Sequence, residues 1–346
     1  MDSRQRLRII VAGSIGNLLE WYDFAIYGYF AAQIGRAFFP QADPVAQVLA
    51  AFGIFAVGYV VRPLGGVLIG HIGDRYGRQR ALIFSITAMA APTLLVGLLP
   101  GFQTLGEAAP VLLTLLRMIQ GLSVGGEWTA SFTYLVEHAP AGRRGLLSAI
   151  ACCGGTLGVL AGSATGAVLA VLLPPDSLDS WGWRLPFLFG FVVAIAGFLL
   201  RRKSVGVAEI TGTSAGLPVV ETLRHHFWLV VRLAGVTTFL AVGFYLVFLY
   251  MVSWLQSVDG VDPARALTIN TASMAAMIPI LLAAGWLSDR IGGRPPVMLV
   301  AMAAAIVGAV PLFLLMHQNA TLPIAAGQIA LVILVGSVSA LTPAFM

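Results

Sequence analysis

Asn17, Glu20, Asp23 and Tyr27 stand three, three and four residues apart inside the first long apolar run. At about 100° per residue they share roughly a third of a helix circumference, with Tyr22 off that face. Arg117, Gln120, Glu127 and Ser131 follow at intervals of three, seven and four in a later run and share a face of their own. Arg62 stands immediately before Pro63 in a run between them. Ionisable groups in apolar helices are costly, so they face a protein interior or a cavity. An arginine stays charged at physiological pH and can hold a carboxylate with two parallel hydrogen bonds. A carboxylate beside it can exchange a proton as its surroundings change between wet and dry. Such a set can bind an anion or zwitterion and couple it to a proton. It can equally form a structural ion pair, Arg117 with Glu20, Asp23 or Glu127, that moves nothing. Arg62 has a third option, to snorkel or hold a helix end.

The C-terminal part of the chain offers weaker candidates. Tyr245, Tyr250, Asn270 and Ser273 supply uncharged donors that suit the other end of a small polar solute. Packing or interhelical hydrogen bonding is the plainer use of each. A nucleophile with its base, a histidine-rich metal set and a cofactor loop are all missing from the sequence, so an enzyme is not expected. No cofactor is expected either; a proton gradient would be the driving force.

These faces need membrane-spanning helices to carry them. The chain has 346 residues, 58% of them hydrophobic and only 10% charged, against about 25% charged in a soluble domain. Apolar runs of about 20 residues, the span of a bilayer core, recur throughout. The reading places ten helices, at 10–34, 47–70, 81–100, 108–136, 146–173, 184–201, 227–256, 265–287, 295–316 and 322–345. Residues 1–201 form an N-terminal six-helix half, 202–226 a polar linker, and 227–346 a second half with four helices of an expected six. The fold class is an all-α membrane protein. A net charge of +5 would suit nucleic acid, but the arginines cluster in alternate loops. Arg4, Arg6 and Arg8, then Arg143 and Arg144, then Arg201 and Arg202 mark one side, which places the N-terminus in the cytoplasm. The expected partners are a small solute, protons and the lipid bilayer, with no nucleic acid and no obligate protein partner.

The two halves are related by a repeated charged turn. Gly70 to Arg80 contains Asp74, Arg75 and Arg78; Gly285 to Arg294 repeats it with Asp289 and Arg290. A carboxylate just beyond a helix end can sit at the N-terminus of another helix. Asp74, Arg75, Arg78, Asp289 and Arg290 therefore suggest a conformational latch, with simple topology charge as the alternative. Duplicated helical halves are how secondary transporters build a site that opens to either side. Gly158, Gly162 and Gly166 share one face of the fifth helix, as a sliding surface or as plain close packing. Cys152 and Cys153 are adjacent in an apolar run, poorly placed for a mutual disulfide, and read as small apolar fillers.

Several of these segments together resemble the major facilitator superfamily, and within it the metabolite:proton symporter branch. The turn Gly70 to Arg80 and the segment Arg117-Met118-Ile119-Gln120-Gly121 are similar to superfamily signatures. The branch resemblance rests on Gly16 to Phe24, Arg62-Pro63-Leu64-Gly65-Gly66, Gly125-Gly126-Glu127 and Trp181 to Phe187. The resemblance implies the superfamily fold and proton-driven uptake of a small carboxylate or zwitterion across a bacterial inner membrane. Citrate, 2-oxoglutarate, other dicarboxylates, proline and betaine are the substrate classes it implies. It also ties the Arg117 position to proton coupling. Family members have twelve helices, so the chain reads as truncated after helix ten. The alternative to a symporter is accordingly a truncated, transport-inactive membrane protein or fragment.

Overall fold

A computed structural model describes all residues except 1–2, 138, 141, 204–221, 223, 252–253, 256–258, 262, 319 and 346; the side chains of 3–13, 78–79, 82, 126–131, 133–134, 137, 175, 200–203, 249, 263–264, 267, 294 and 345 also lie outside the description. Most of the linker at 202–226 is thereby undescribed. Among the described residues all regular secondary structure is helical. In chain order the helices are α1 (Ser3–Tyr29), α2 (Ala31–Phe38), α3 (Pro44–Val60), α4 (Arg62–Tyr76), α5 (Arg78–Leu98), α6 (Phe102–Leu105), α7 (Ala108–Glu137), α8 (Arg144–Leu172), α9 (Pro175–Ser180), α10 (Leu185–Lys203), α11 (Phe227–Tyr245), α12 (Pro263–Ile291), α13 (Arg294–Met316) and α14 (Thr321–Phe345). A single 3-10 turn, Gly182–Arg184, leads into α10, and a π-helical turn, Leu246–Tyr250, extends α11.

The expected count of ten spans is not confirmed. Among the described residues, eight helices are long and apolar enough to cross a membrane. The other two expected spans, on α1 and α5, include side chains outside the description; the described apolar part of α5 runs Ile83–Leu98.

Local chemistry explains several boundaries. Asp43 caps α3, its carboxylate accepting from the backbone N–H of Val45 and Ala46 at 3.0 and 3.1 Å, with Pro44 in the first turn. The α3–α4 span breaks at Val61 because Pro63 has no N–H to continue the ladder. The repeated charged turn is also a repeat of backbone form. Gly77 ends α4 at φ 95° and Gly292 follows α12 at φ 74°, left-handed values that favour glycine.

The chain divides into two compact units, 1–134 with 157–219, and 135–156 with 220–346. Helix α8 thus contributes its N-terminal part to the second unit and the remainder to the first. In the first unit, α1 and α8 meet at Gly158, where a Cβ would lie 2.2 Å from the Leu18 carbonyl oxygen. Gly162 also packs on α1, against Ala25, whereas Gly166 has nothing closer than 3.9 Å. The Trp181–Phe187 segment closes this unit, burying Trp183 completely between Phe38 and Phe187. In the second unit, α8 is tied to α14 by Ser148 Oγ, which donates to the Ala340 carbonyl at 2.7 Å. Cys152 and Cys153 are buried in the same region as free thiols.

Polarity runs opposite to that of a water-soluble protein. Val171, Leu322, Val307 and Val60 are each more than three-quarters exposed, while Asn17, Glu20, Asp23, Arg117 and Gln120 are at most 2% exposed. An apolar exterior around a polar interior is the arrangement a bilayer requires.

Candidate functional site

The first unit brings Asp23 of α1 and Arg117 of α7 together. Arg117 Nη1 donates to Asp23 Oδ2 at 2.6 Å, and both side chains are 2% exposed. The same Nη1 donates to Gln120 Oε1 at 2.7 Å, one helical turn along α7. Gln120 Nε2 in turn donates to Asp23 Oδ1 at 3.0 Å and to Thr93 Oγ1 at 2.9 Å. Thr93 lies 2.9 Å from Asp23 Oδ1 and 2.8 Å from the Met89 carbonyl. Its single hydroxyl proton serves one of these acceptors at a time. Every polar atom of Gln120 is engaged consistently, which fixes the direction of its amide. Asp23 thus faces Arg117, Gln120 and Thr93, a hydrogen-bonded set drawn from three side chains. The pair is not bidentate, however. Arg117 Nη2 has no hydrogen-bond partner among the described residues.

Close helix contacts make this geometry possible. A Cβ on Gly65 of α4 would lie 1.9 Å from the Leu122 carbonyl of α7, and one on Gly125 would lie 2.0 Å from the Arg62 carbonyl. Backbones this near bring α7 against the aromatic face of α3. There Phe55 meets Phe24 and Tyr59 at 5.3 and 5.2 Å between centroids, and Tyr27 stacks on Phe55 at 5.5 Å. The Arg117 guanidinium carbon sits 3.9 Å from the Tyr27 ring centre, an arrangement in which the ring quadrupole supports the charge. Tyr27 is anchored by its hydroxyl, which donates to the Ala51 carbonyl at 2.9 Å. Tyr22, off the polar face, donates instead to the Pro186 carbonyl at 3.0 Å.

The other expected residues fall in different places. Asn17 and Glu20 are buried on the same face of α1 as Asp23. Glu20 lines a small cavity with Gly16, Ser85 and Ser123. Arg62 does not snorkel. Its guanidinium carbon lies 3.8 Å from the Tyr59 ring centre and 4.5 Å from that of Phe24. The side chains of Glu127 and Arg78 lie outside the described residues. Asp74 and Arg75 are exposed at the end of α4. Their counterpart Asp289 sits at the N-terminus of α8, accepting from the Gly145 and Leu146 N–H groups at 2.8 and 2.9 Å. Arg290 stacks on Trp286 at 4.3 Å. In the second unit, Tyr245 and Tyr250 are 41% and 52% exposed, whereas Asn270 accepts from Gln328 Nε2 at 2.7 Å.

Sequence reasoning passed over Thr93, Gln328 and the aromatic cluster. Thr93 and Ser85 lie eight residues apart in α5, on one face, and a hydroxyl stripe in an otherwise apolar helix was a usable signal. Gln328 is the sole amide side chain of α14. The aromatics gave no signal, because Phe and Tyr in an apolar run look like ordinary packing.

The Major Facilitator Superfamily profile matches residues 13–346. The chain is 33% identical over 349 residues to the proline/betaine transporter of Salmonella typhimurium, covering 96% of this chain and 69% of that protein. It is 34% identical over 332 residues to the glycine betaine/proline/ectoine/pipecolic acid transporter OusA of Dickeya dadantii, covering 92% and 66%. These relatives are named as transporters, not enzymes. Among solved structures it is similar in fold to the proton:xylose symporter XylE bound to 6-bromo-6-deoxy-D-glucose, with TM-score 0.79 at 18% identity, over 98% of this chain and 82% of that one. The human organic anion transporter MFSD10 gives TM-score 0.71 at 16% identity, over 99% and 86%. None of these matches supports the truncated, transport-inactive alternative.

Proposed function

We propose that this chain, which belongs to the Major Facilitator Superfamily, is a proton-coupled secondary transporter of a small zwitterion of the proline and betaine class. It would work by alternating access in a bacterial inner membrane, with ten spans and a cytoplasmic N-terminus. The observation that carries the reading is the buried pair of Asp23 and Arg117, held by Gln120 and Thr93 within helices whose exteriors are apolar. A charge pair costs several kcal/mol per ion to bury (about that much after relaxation), so a membrane protein that retains one has a use for it.

In this reading Asp23 is the proton carrier. Protonation neutralises it and releases Arg117, whose Nη2 already lacks a partner among the described residues. The released guanidinium then has donors free for a solute carboxylate. Deprotonation recaptures Arg117 and expels the anion. Asn17, Glu20, Tyr27 and Glu127 are assigned to orient the solute or assist the proton. Asp289 at the N-terminus of α8 is assigned to the latch, together with Asp74, Arg75, Arg78 and Arg290. The relatives named for proline and betaine narrow the substrate class; the organic acids remain as competitors to be tested beside them.

The test is uptake of labelled glycine betaine, proline and citrate by the purified chain in proteoliposomes, with and without an inward proton gradient. Accumulation of a zwitterion that collapses with a protonophore is expected. Gradient-driven accumulation of citrate alone would reject the substrate class, and zwitterion uptake indifferent to the gradient would reject the coupling.

A further inference from the structure

Phe24, Phe55 and Tyr59 pack around one another with ring centroids 5.2 to 5.4 Å apart. A guanidinium stands on each side of this group. Arg117 lies 5.3 Å from the Phe55 ring centre and 5.6 Å from that of Phe24. Arg62 lies 3.8 Å from Tyr59 and 4.5 Å from Phe24. The two arginines are held differently. Arg117 has Asp23 as its counter-ion. Arg62 has no carboxylate within ion-pair distance among the described residues, and its Nε has no hydrogen-bond partner there. Among the described residues, the ring faces of Tyr59 and Phe24 support its charge. Two aromatic faces converging on one cation, Tyr59 and Phe24 with Phe55 packed against both, form the type of site that recognises ammonium ligands.

We propose that the Tyr59–Phe24–Phe55 cluster is the cation subsite for the transported zwitterion, and that Arg62 occupies it as a stand-in when no solute is bound. The proposal rests on the zwitterion reading given above. Two cations cannot share the same ring faces. When the solute's ammonium takes the faces of Tyr59 and Phe24, Arg62 is displaced. Its guanidinium then needs an anion, and the solute brings one a few bonds from its cation. The exchange leaves no charge unpaired: rings to ammonium, carboxylate to guanidinium. A dicarboxylate offers nothing to the rings and cannot make this exchange. The site therefore selects for a carboxylate joined to a cationic nitrogen. Hydrogen bonds to an ammonium N–H are not required, so quaternary nitrogen is accepted.

The experiment compares displacement of labelled glycine betaine from the purified full-length chain by unlabelled glycine betaine and by tert-butylacetate. The latter has the same shape and carboxylate, with a neutral carbon in place of nitrogen. Wild type is expected to prefer glycine betaine. Tyr59→Leu and Phe24→Leu should each reduce that preference about tenfold, the effect of one desolvated cation–ring contact, while Tyr59→Phe keeps it. Arg62→Gln should weaken both ligands alike, because it removes one of the two arginines, with Arg117, that receive the carboxylate and leaves the rings. Thermal unfolding of each variant separates loss of selectivity from loss of fold, and half-buried Tyr59 tolerates truncation better than buried Phe24. A preference unchanged in folded Tyr59→Leu would overturn the inference and leave the transport reading intact. So would a wild type that binds glycine betaine no better than tert-butylacetate. A wild type that binds no glycine betaine would overturn both.

Discussion

Arg117 is held by one nitrogen. Nη1 donates to both Asp23 and Gln120, and Nη2 to nothing among the described residues. Replacing Arg117 by Ala leaves Asp23 buried with only uncharged donors. Breaking one member of a buried pair costs about 3–5 kcal/mol, so Arg117→Ala should lower the unfolding temperature in detergent and abolish gradient-driven uptake. Arg117→Lys should restore part of the stability, since an ammonium keeps the charge, but not the Gln120 and Asp23 geometry. Thr93 is the subtler member. Thr93→Val keeps the shape of the side chain but takes a donor from Asp23 and an acceptor from Gln120. Loss of about 1–3 kcal/mol is expected for groups left unsatisfied in this way, with Thr93→Ser recovering most of it in the same unfolding assay. The face of α1 bearing Asn17, Glu20, Asp23 and Tyr27 was legible from spacing alone, and so was that of Arg117 and Gln120. Their pairing was not, because spacing within a helix says nothing about which neighbour it meets. The sequence left Glu20, Asp23 and Glu127 as equal partners for Arg117. The structure selects Asp23 among the described side chains, through the approach of α7 that Gly65 and Gly125 permit.

At the scale of elements, the glycines divide into those that set helix contacts and those that do not. A Cβ on Gly65 would overlap the Leu122 carbonyl, whereas Gly70, on the same helix, has nothing within 4 Å of its Cβ position. Gly65→Ala should therefore force α4 and α7 apart and cost more than 1 kcal/mol (roughly 1–3 for overpacking), while Gly70→Ala should be neutral in the same thermal assay. Helix α8 offers a second case. Asp289 satisfies two N–H groups at its N-terminus, and Asp289→Ala should cost about 0.5–2 kcal/mol, the range for a lost N-cap. Asp289→Asn, which keeps one acceptor but loses the charge, should fall between. The helix ends were readable where they depend on local chemistry, as at Asp43-Pro44, Pro63, Gly77 and Gly292. The eight described helices long and apolar enough to cross a membrane follow apolar runs that were equally plain.

At the scale of the whole molecule, the chain's apolar exterior and polar interior suit a bilayer, and the family assignment gives that arrangement its use. Repetition of the charged turn was visible in sequence because it recurs as residue types, Asp-Arg followed two residues on by glycine. Its backbone recurs too, with both glycines at positive φ. The division into units was less legible. The N-terminal part of α8 groups with residues 220–346, and a helix that serves two units looks in sequence like any other apolar run. If the Asp23–Arg117 pair couples a proton to a zwitterion, neutralising Asp23 must uncouple solute movement from the gradient. Labelled glycine betaine uptake should be measured in proteoliposomes of wild type and Asp23→Asn, with and without an inward proton gradient. Wild type should accumulate solute only with the gradient. Asp23→Asn should still equilibrate the solute and gain nothing from the gradient. Gradient-driven accumulation by Asp23→Asn equal to wild type would contradict the account.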